Sequence, residues 1–182
     1  MESPETIRLH DKTFRVWVPY AELSEAIGKI AEKINHDYKD KGKPFFLGVL
    51  NGSFMFMAEL MKGISLDCEV SFVKMASYSG LKSSGGVADL IGLAENIEGR
   101  HVIIVEDIVD TGASIEHLTK LLEKHKPASV AVAAMLFKPS VYKKERRIDY
   151  YAMEAPDKFI VGSGLDYDGL GRNYKDIYEL SE

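Results

Sequence analysis

The stretch from Val102 to Ser114 constrains the fold of this chain more than any other. Its first four residues are all β-branched, which is typical of a buried strand rather than a helix. Three carboxylates follow, and the first two are predicted to end the strand: Glu106, Asp107 and Asp110. The last four residues are small and can begin a helix whose first backbone amides point outward. The strand, loop and helix predict an α/β fold, in which ligands bind at the carboxyl ends of strands.

The loop after this strand combines features that attract a phosphate with features that repel it. Its end offers backbone donors, two hydroxyls and a helix dipole worth roughly 0.3–1 kcal/mol. However, three carboxylates lie within eight residues of Ser114. A ribose 5-phosphate suits both the carboxylates and the helix start. The vicinal carboxylates accept hydrogen bonds from its 2- and 3-hydroxyls, while the amides hold the phosphate. A divalent cation, Mg²⁺ above all, would balance the remaining charge. The alternative is an ordinary strand end followed by an acidic helix start.

The segment Val105-Glu-Asp-Ile-Val-Asp-Thr-Gly112 closely resembles the phosphoribosyl-diphosphate (PRPP) motif of the phosphoribosyltransferases, most of all their hypoxanthine-guanine branch. The resemblance covers nearly the whole chain from Phe14 onward. It implies the type I phosphoribosyltransferase fold: an α/β domain with a mainly parallel sheet flanked by helices, and a small hood built from the terminal segments. It also implies an Mg²⁺-dependent purine-salvage enzyme that joins hypoxanthine, or guanine, to C1 of PRPP, which gives IMP or GMP and pyrophosphate. Relatives commonly form dimers or tetramers, so we expect a homodimer or homotetramer.

The same resemblance implies a role for each residue of the motif. Glu106 and Asp107 match the acidic pair that binds the ribose hydroxyls of PRPP, directly or through the metal. Asp110 matches a PRPP-site carboxylate near N7 of the base, where it acts as the catalytic general base or holds a proton already present. Asp110 also has a second interpretation as a helix N-cap. The cradle for the 5-phosphate matches Thr111, Gly112, Ala113 and Ser114.

A second set of residues matches the pyrophosphate contacts of the family: Leu50, Asn51, Gly52, Ser77, Tyr78 and Arg172. Many relatives carry Lys at the position of Asn51, so this chain lacks one positive charge there. On its own, the Asn-Gly pair favours a simple turn. The stretch 77–86 is polar and glycine-rich, and it is similar to the flap that closes over the family's active site to exclude water. A plain disordered loop is the alternative.

A third set matches the purine-binding residues: Lys138, Phe159, Ile160 and Asp166. An ammonium only donates hydrogen bonds, so Lys138 favours a 6-oxo group over the 6-amino group of adenine. Phe159 matches the ring that stacks on the base, and the backbone of Ile160 reads its edge. Asp166 matches a ligand of a second Mg²⁺, and the metal residues are then Glu106, Asp107 and Asp166. The alternatives are a strand-end lysine in water and a core phenylalanine.

Periodicity predicts the other elements of the fold. An amphipathic helix is expected from Tyr20 to about Lys39, and buried strands from Phe45 to Leu50 and from Ser129 to Phe137. Residues 87–93 are expected to return as a strand after the glycine-rich stretch. Asp176 to Leu180 predicts a last edge strand or a short turn of helix.

Composition limits the remaining possibilities. A length of 182 residues predicts a single domain over residues 1–182, and the net charge of −5 argues against a nucleic-acid partner. One cysteine, Cys68, favours a cytoplasmic location, and no apolar run approaches the roughly 20 residues of a membrane helix. P-loop and zinc motifs are absent. Two alternatives stay open: a regulator of the same fold that binds RNA or another protein, and an enzyme that prefers xanthine or adenine.

Overall fold

A computed structural model describes residues 4–75, 90–91 and 93–181 of the chain. In chain order, the elements are β1 (Thr6–Leu9), β2 (Lys12–Val18), α1 (Tyr20–Tyr38), β3 (Phe45–Leu50), α2 (Phe54–Gly63), β4 (Glu69–Met75), β5 (Leu90–Ile91), β6 (His101–Val109), α3 (Ala113–Glu123), β7 (Ser129–Phe137), β8 (Tyr150–Glu154), β9 (Ile160–Val161) and β10 (Ile177–Leu180). None of the described helices is both long and apolar enough to cross a membrane.

The main sheet has the strand order β5-β4-β3-β6-β7-β8. Five neighbouring strands, from β4 to β8, run parallel, and β5 pairs antiparallel with β4. The central strands are apolar on both faces, as expected for a parallel sheet covered by helices on both sides. The predicted α/β fold with a mainly parallel sheet is therefore confirmed.

Alternate residues of β6 supply the two layers of the core. Ile103 and Val105 join one cluster with the buried faces of α1 and α2, while Val102 and Ile104 join another with the buried face of α3. The predicted apolar stripe of α1 is the observed one: Leu23, Ile27, Ile30, Ala31, Ile34 and Tyr38. The two clusters place α2 and α3 on opposite faces of the sheet.

Strands β3 and β6 are neighbours, but the chain leaves them in opposite directions. From β3 it passes through α2 to β4 on one side, and from β6 it passes through α3 to β7 on the other. The ladder between β3 and β6 pairs Phe45–Gly48 with Val102–Val105 and extends no further. A crevice at such a reversal of strand order is where open α/β sheets bind ligands. The fold therefore locates the site at the carboxyl ends of β3 and β6.

A second, antiparallel sheet combines segments from both ends of the chain, in the order β1-β2-β10-β9. Its own core contains Phe14, Val161 and Tyr178. The predicted hood of terminal segments matches this sheet. The prediction of an edge strand near the C-terminus was wrong in one respect, because β10 lies between β2 and β9 and is hydrogen-bonded on both sides.

One other local prediction needs correction. Strand β6 does not end at Glu106 and Asp107 but runs through them to Val109, because its ladder with β7 continues past the acidic pair. The strand expected over residues 87–93 falls largely outside the described residues, which include Leu90–Ile91 as β5.

Candidate active site

The loop after β3 lies directly against the acidic pair of β6. A Cβ atom at Gly52 would overlap the carboxylate of Asp107, so only glycine permits this approach. The backbone N–H of Ile108 donates to Asp107 Oδ1 at 2.8 Å. The peptide bond between Leu50 and Asn51 is cis. The predicted pyrophosphate loop and the predicted ribose-binding carboxylate therefore meet at the crevice between β3 and β6.

A loop near the C-terminus closes the same corner of the site. Gly164 has a φ of +103°, and a Cβ atom there would overlap the carbonyl oxygen of Gly52. Arg172 Nη1 donates to the carbonyl of Gly164 at 2.7 Å, and its Nη2 lies 2.7 Å from Asp166 Oδ1. Burial raises the pKa of Asp107, with Arg172 opposing this rise and Asp166 adding to it. The structure thus brings Gly52, Asp107, Asp166 and Arg172 together.

Glu106 faces the other way, because successive side chains of a strand point to opposite faces. It lines a cavity of 80 Å³ with Ile108 and the loop that begins α3. Its Oε2 atom is buried and has no hydrogen-bond partner among the described residues. Burial, and then the charge of Asp107, raise the pKa of Glu106 well above its usual range. Glu106 therefore lies on the side of the predicted phosphate loop rather than beside Asp166.

The carboxylates predicted as metal ligands, with Asp166 assigned to a second Mg²⁺, lie on different sides of β6. Within the described parts of the chain, no three His, Cys, Asp or Glu side chains group closely enough to hold a metal ion by themselves. The charge of Asp166 acts on Asp107, whereas Glu106 lies on the opposite face of β6. A magnesium ion in proteins is commonly held by one or two carboxylates together with substrate phosphates. Asp107 and Asp166 fit that pattern.

The predicted phosphate cradle forms the beginning of α3. Gly112 is its N-cap, with a φ of +80°, and no side chain caps the helix, so the interpretation of Asp110 as an N-cap was wrong. A Cβ atom at Gly112 would overlap the ring of Tyr142. The exposed residues Thr111, Ala113 and Ser114 surround the first turn. Because the first backbone N–H groups of a helix have no intrahelical acceptor, this turn can bind an anion.

Lys138 is held at the carboxyl end of β7, beside the end of β6. Its backbone N–H donates to the carbonyl of Val109 at 2.9 Å. Its side chain is only 9% exposed, and Nζ donates to the carbonyl oxygen of Lys158 at 3.0 Å. Two carboxylates are near the same ammonium, Asp157 Oδ1 at 3.6 Å and Asp110 Oδ2 at 3.8 Å. The alternative of a strand-end lysine in water is therefore wrong.

Phe159 precedes β9 and is 45% exposed, so it is not a core residue. Its ring lies 5.5 Å from that of Tyr167, edge to face, and 6.1 Å from that of Phe14. These contacts hold the ring in place, and its exposed part is available for stacking on a flat ligand. Ile160 is buried in β9, where it pairs with Glu179 of β10. Ser77 and Tyr78, the predicted flap residues, lie outside the described residues.

Sequence reasoning missed three residues that contact the predicted site residues. Asp157 and Lys158 contact Lys138, and Tyr142 packs behind Gly112. The turn-forming pair Pro156-Asp157 next to Phe159 was the signal for the first two; nothing local marks Tyr142. A larger cavity of 710 Å³ lies between α1 and the segment 142–152, but it includes none of the predicted site residues. The charged side chains and the free helix start, rather than the size of a cavity, therefore locate the site.

The comparisons with known proteins agree with this geometry. The model of the phosphoribosyl transferase domain matches residues 19–168. The chain belongs to the phosphoribosyltransferase family. A hypoxanthine-guanine phosphoribosyltransferase of Streptococcus pneumoniae is 38% identical over 169 residues, which cover 92% of this chain and 93% of that protein. The hypoxanthine phosphoribosyltransferase of Escherichia coli K12 is 38% identical over 85% of this chain and 88% of its own length.

A solved structure of this family shows the same fold. The hypoxanthine phosphoribosyltransferase of Trypanosoma cruzi superimposes with a TM-score of 0.82 at 31% identity, covering 91% of this chain and 95% of that one. The predicted family, its type I fold and the prediction that this chain is an enzyme, a phosphoribosyltransferase, are confirmed.

Proposed function

We propose that this phosphoribosyltransferase transfers the 5-phosphoribosyl group of PRPP to hypoxanthine, with guanine as the second candidate base. The products are IMP or GMP and pyrophosphate, which makes the reaction a step of purine salvage. Support comes from the activities for which the relatives at 38% identity are named and from the chemistry of the crevice. The preference for a 6-oxopurine over adenine, which the sequence predicts from Lys138, is part of this proposal.

The observation that carries the proposal is the pair formed by Lys138 and Asp110. The two groups lie 3.8 Å apart, at the ends of neighbouring strands, with Lys138 nearly buried and Asp110 half exposed. A 6-oxopurine presents O6, an acceptor, and N7 on one edge of the ring. An ammonium beside a carboxylate suits that edge, because Lys138 donates to O6 while Asp110 accepts the proton of N7. Adenine offers an amino group where Lys138 needs an acceptor, so it binds less well.

The remaining loops are suited to the three parts of PRPP. Backbone N–H groups at the start of α3, with the hydroxyls of Thr111 and Ser114, hold the 5-phosphate. Asp107 accepts hydrogen bonds from the ribose hydroxyls, and Glu106 lies under the phosphate loop on the other face of the strand. The pyrophosphate contacts are assigned to Leu50, Asn51, Gly52 and Arg172, which lie around the crevice, and to Ser77 and Tyr78.

Asp107 and Asp166 would hold the magnesium ion. Their carboxylates suit a hard cation, and a cation beside Asp107 would offset the burial that raises the pKa of its carboxyl group. A bound Mg²⁺ would neutralise negative charge on the departing pyrophosphate. Arg172 already faces Asp166, and its guanidinium contributes a second positive charge at the same corner. Asn51, where many relatives carry lysine, adds none.

We retain three further predictions as proposals: a single domain over residues 1–182, a homodimer or homotetramer, and a cytoplasmic location. The first two rest on length and on the resemblance to the family. The third rests on a single cysteine, Cys68, which is free in the structure. Sedimentation equilibrium of the full chain measures the oligomeric state directly.

The test of the proposed function is a set of steady-state rates with PRPP and each of four bases, with and without Mg²⁺. We expect Mg²⁺-dependent activity with hypoxanthine, guanine as the next best base, and little activity with adenine. Xanthine as the preferred base would replace the substrate assignment but keep the reaction. Equal rates with adenine and hypoxanthine would contradict the role of Lys138, and no reaction with any base would overturn the proposal.

A further inference from the structure

The turn before β9 carries three groups that face the base-binding part of the site. The carbonyl of Lys158 accepts from Lys138 Nζ at 3.0 Å, and Asp157 lies 3.6 Å from the same nitrogen. Phe159, the next residue, presents its partly exposed ring. The position of this one turn therefore determines where the ammonium of Lys138 lies and where the proposed stacking ring lies. A contact that holds this turn in place therefore also fixes the ammonium of Lys138 and the ring of Phe159.

The turn is held from the hood by a charged side chain. Lys158 Nζ donates to Glu179 Oε2 at 2.9 Å, and Arg15 donates to Glu179 Oε1 from Nη2 at 2.7 Å and from Nε at 3.0 Å. Glu179 lies in β10, opposite Arg15 of β2 and opposite Ile160 of β9. Each oxygen of the carboxylate thus has its own cation. One cation belongs to the hood and the other to the turn.

Glu179 is buried, so its carboxylate depends on these two cations. Its side chain is 8% exposed, whereas those of Lys158 and Arg15 are 46% and 59% exposed. A buried carboxylate is stable only when charged partners or hydrogen bonds compensate for its lost hydration. Hydrogen bonds from Lys158, and then from Arg15, hold the pKa of Glu179 below its usual value. Lys158 is therefore restrained by a fixed anion, although half of its side chain is in water.

We propose that Glu179 is a positioning residue for base recognition: it anchors Lys158, whose carbonyl oxygen in turn holds the ammonium of Lys138 in place for a 6-oxo group. The inference rests on the proposed function, in which Lys138 reads O6. The side chain of Glu179 never touches the base. Its effect passes through one ion pair and one backbone hydrogen bond, from the hood to the end of β7.

A purely structural role for Glu179 predicts a different result. If the carboxylate only joined β2, β10 and β9, its loss would lower the melting temperature and leave base selection unchanged. If it positions Lys158, Glu179→Gln raises the KM for hypoxanthine and lowers the preference for hypoxanthine over adenine. We expect an effect of roughly fivefold on each, the size of one charge-assisted hydrogen bond acting through a neighbour. The KM for PRPP and kcat should change much less.

Two matched variants separate these roles. Lys158→Met keeps the carbonyl oxygen but removes the ammonium, so it should reproduce the KM change of Glu179→Gln, and the double variant should add nothing further. Arg15→Met removes the other cation of the same carboxylate and should affect stability more than base selection. Lys158→Arg should have a hypoxanthine KM much closer to the wild-type value than that of Lys158→Met, because a guanidinium also pairs with Glu179.

The experiment measures KM and kcat for hypoxanthine and adenine, and thermal unfolding, for the wild type and these variants. The inference is supported if Glu179→Gln and Lys158→Met share a raised hypoxanthine KM that Arg15→Met lacks. It is overturned if the wild type is active and Glu179→Gln keeps both the KM and the base preference, whatever its melting temperature. A wild type inactive with every oxopurine would overturn the proposed function, and the inference with it.

Discussion

Replacing Gly52 with alanine tests the close approach between the loop after β3 and the acidic pair of β6. The new methyl group would overlap the carboxylate of Asp107, so the loop or the carboxylate must move. Overpacking of this kind costs about 1–3 kcal/mol. For a chain of this length, that cost corresponds to a fall in melting temperature of about 2–12 °C. Because Asp107 and the loop both belong to the proposed PRPP site, the KM for PRPP should rise about tenfold or more.

The matched control is Gly28→Ala, the same change in the interior of α1. No atom lies within 4 Å of a Cβ atom there, and alanine favours helix over glycine by about 1 kcal/mol. This variant should melt at the same temperature or higher and keep the wild-type KM. Thermal unfolding followed by circular dichroism, with steady-state kinetics on PRPP, measures both properties. A Gly52→Ala variant with wild-type stability and wild-type PRPP kinetics would refute the contact.

Three further predictions concern the charged groups of the site. Asp110→Asn should lower kcat about 100-fold or more while the affinity for PRPP, measured by calorimetry, changes little; an equal loss of both would place Asp110 in PRPP binding alone. Lys138→Met should reduce the preference for hypoxanthine over adenine about tenfold or more in kcat/KM, and an unchanged preference would remove its assigned role. Glu106→Gln should raise the melting temperature at pH 7.5. Burial raises the pKa of Glu106, so the folded wild type loses stability as the pH rises above the ordinary carboxyl value of 4.5. The gain in the variant should therefore vanish near pH 4, and a pH-independent difference would contradict this origin.

Elements with strong local patterns could be predicted from the sequence with their ends. The strands Phe45–Leu50 and Ser129–Phe137 have the observed bounds, since each is dominated by apolar residues and is followed directly by a polar one. The buried face of α1 follows from its period alone. By contrast, β6 continues through Glu106 and Asp107 because β7 offers it hydrogen-bonding partners. Pairing between distant strands also places β10 inside the hood sheet.

The site shows the same division between local and non-local information. Motif residues could be assigned from the resemblance, and the structure places Gly52, Asp107 and Asp166 around one crevice. The opposite orientation of Glu106 and Asp107 became clear only once both were seen within a strand, where neighbours alternate. The contact of Lys138 with Lys158, 20 residues later, depends on how the hood meets the main sheet. No local pattern carries that information.

The central claim is that the crevice between β3 and β6 binds a phosphorylated sugar through the acidic strand end and the start of α3. Isothermal titration calorimetry of the full chain with PRPP, in the presence of Mg²⁺, tests it most directly. We predict saturable binding with one PRPP per chain, which Gly52→Ala weakens and Gly28→Ala leaves unchanged. No heat of binding in the wild type, or equal binding by the two variants, would contradict the claim.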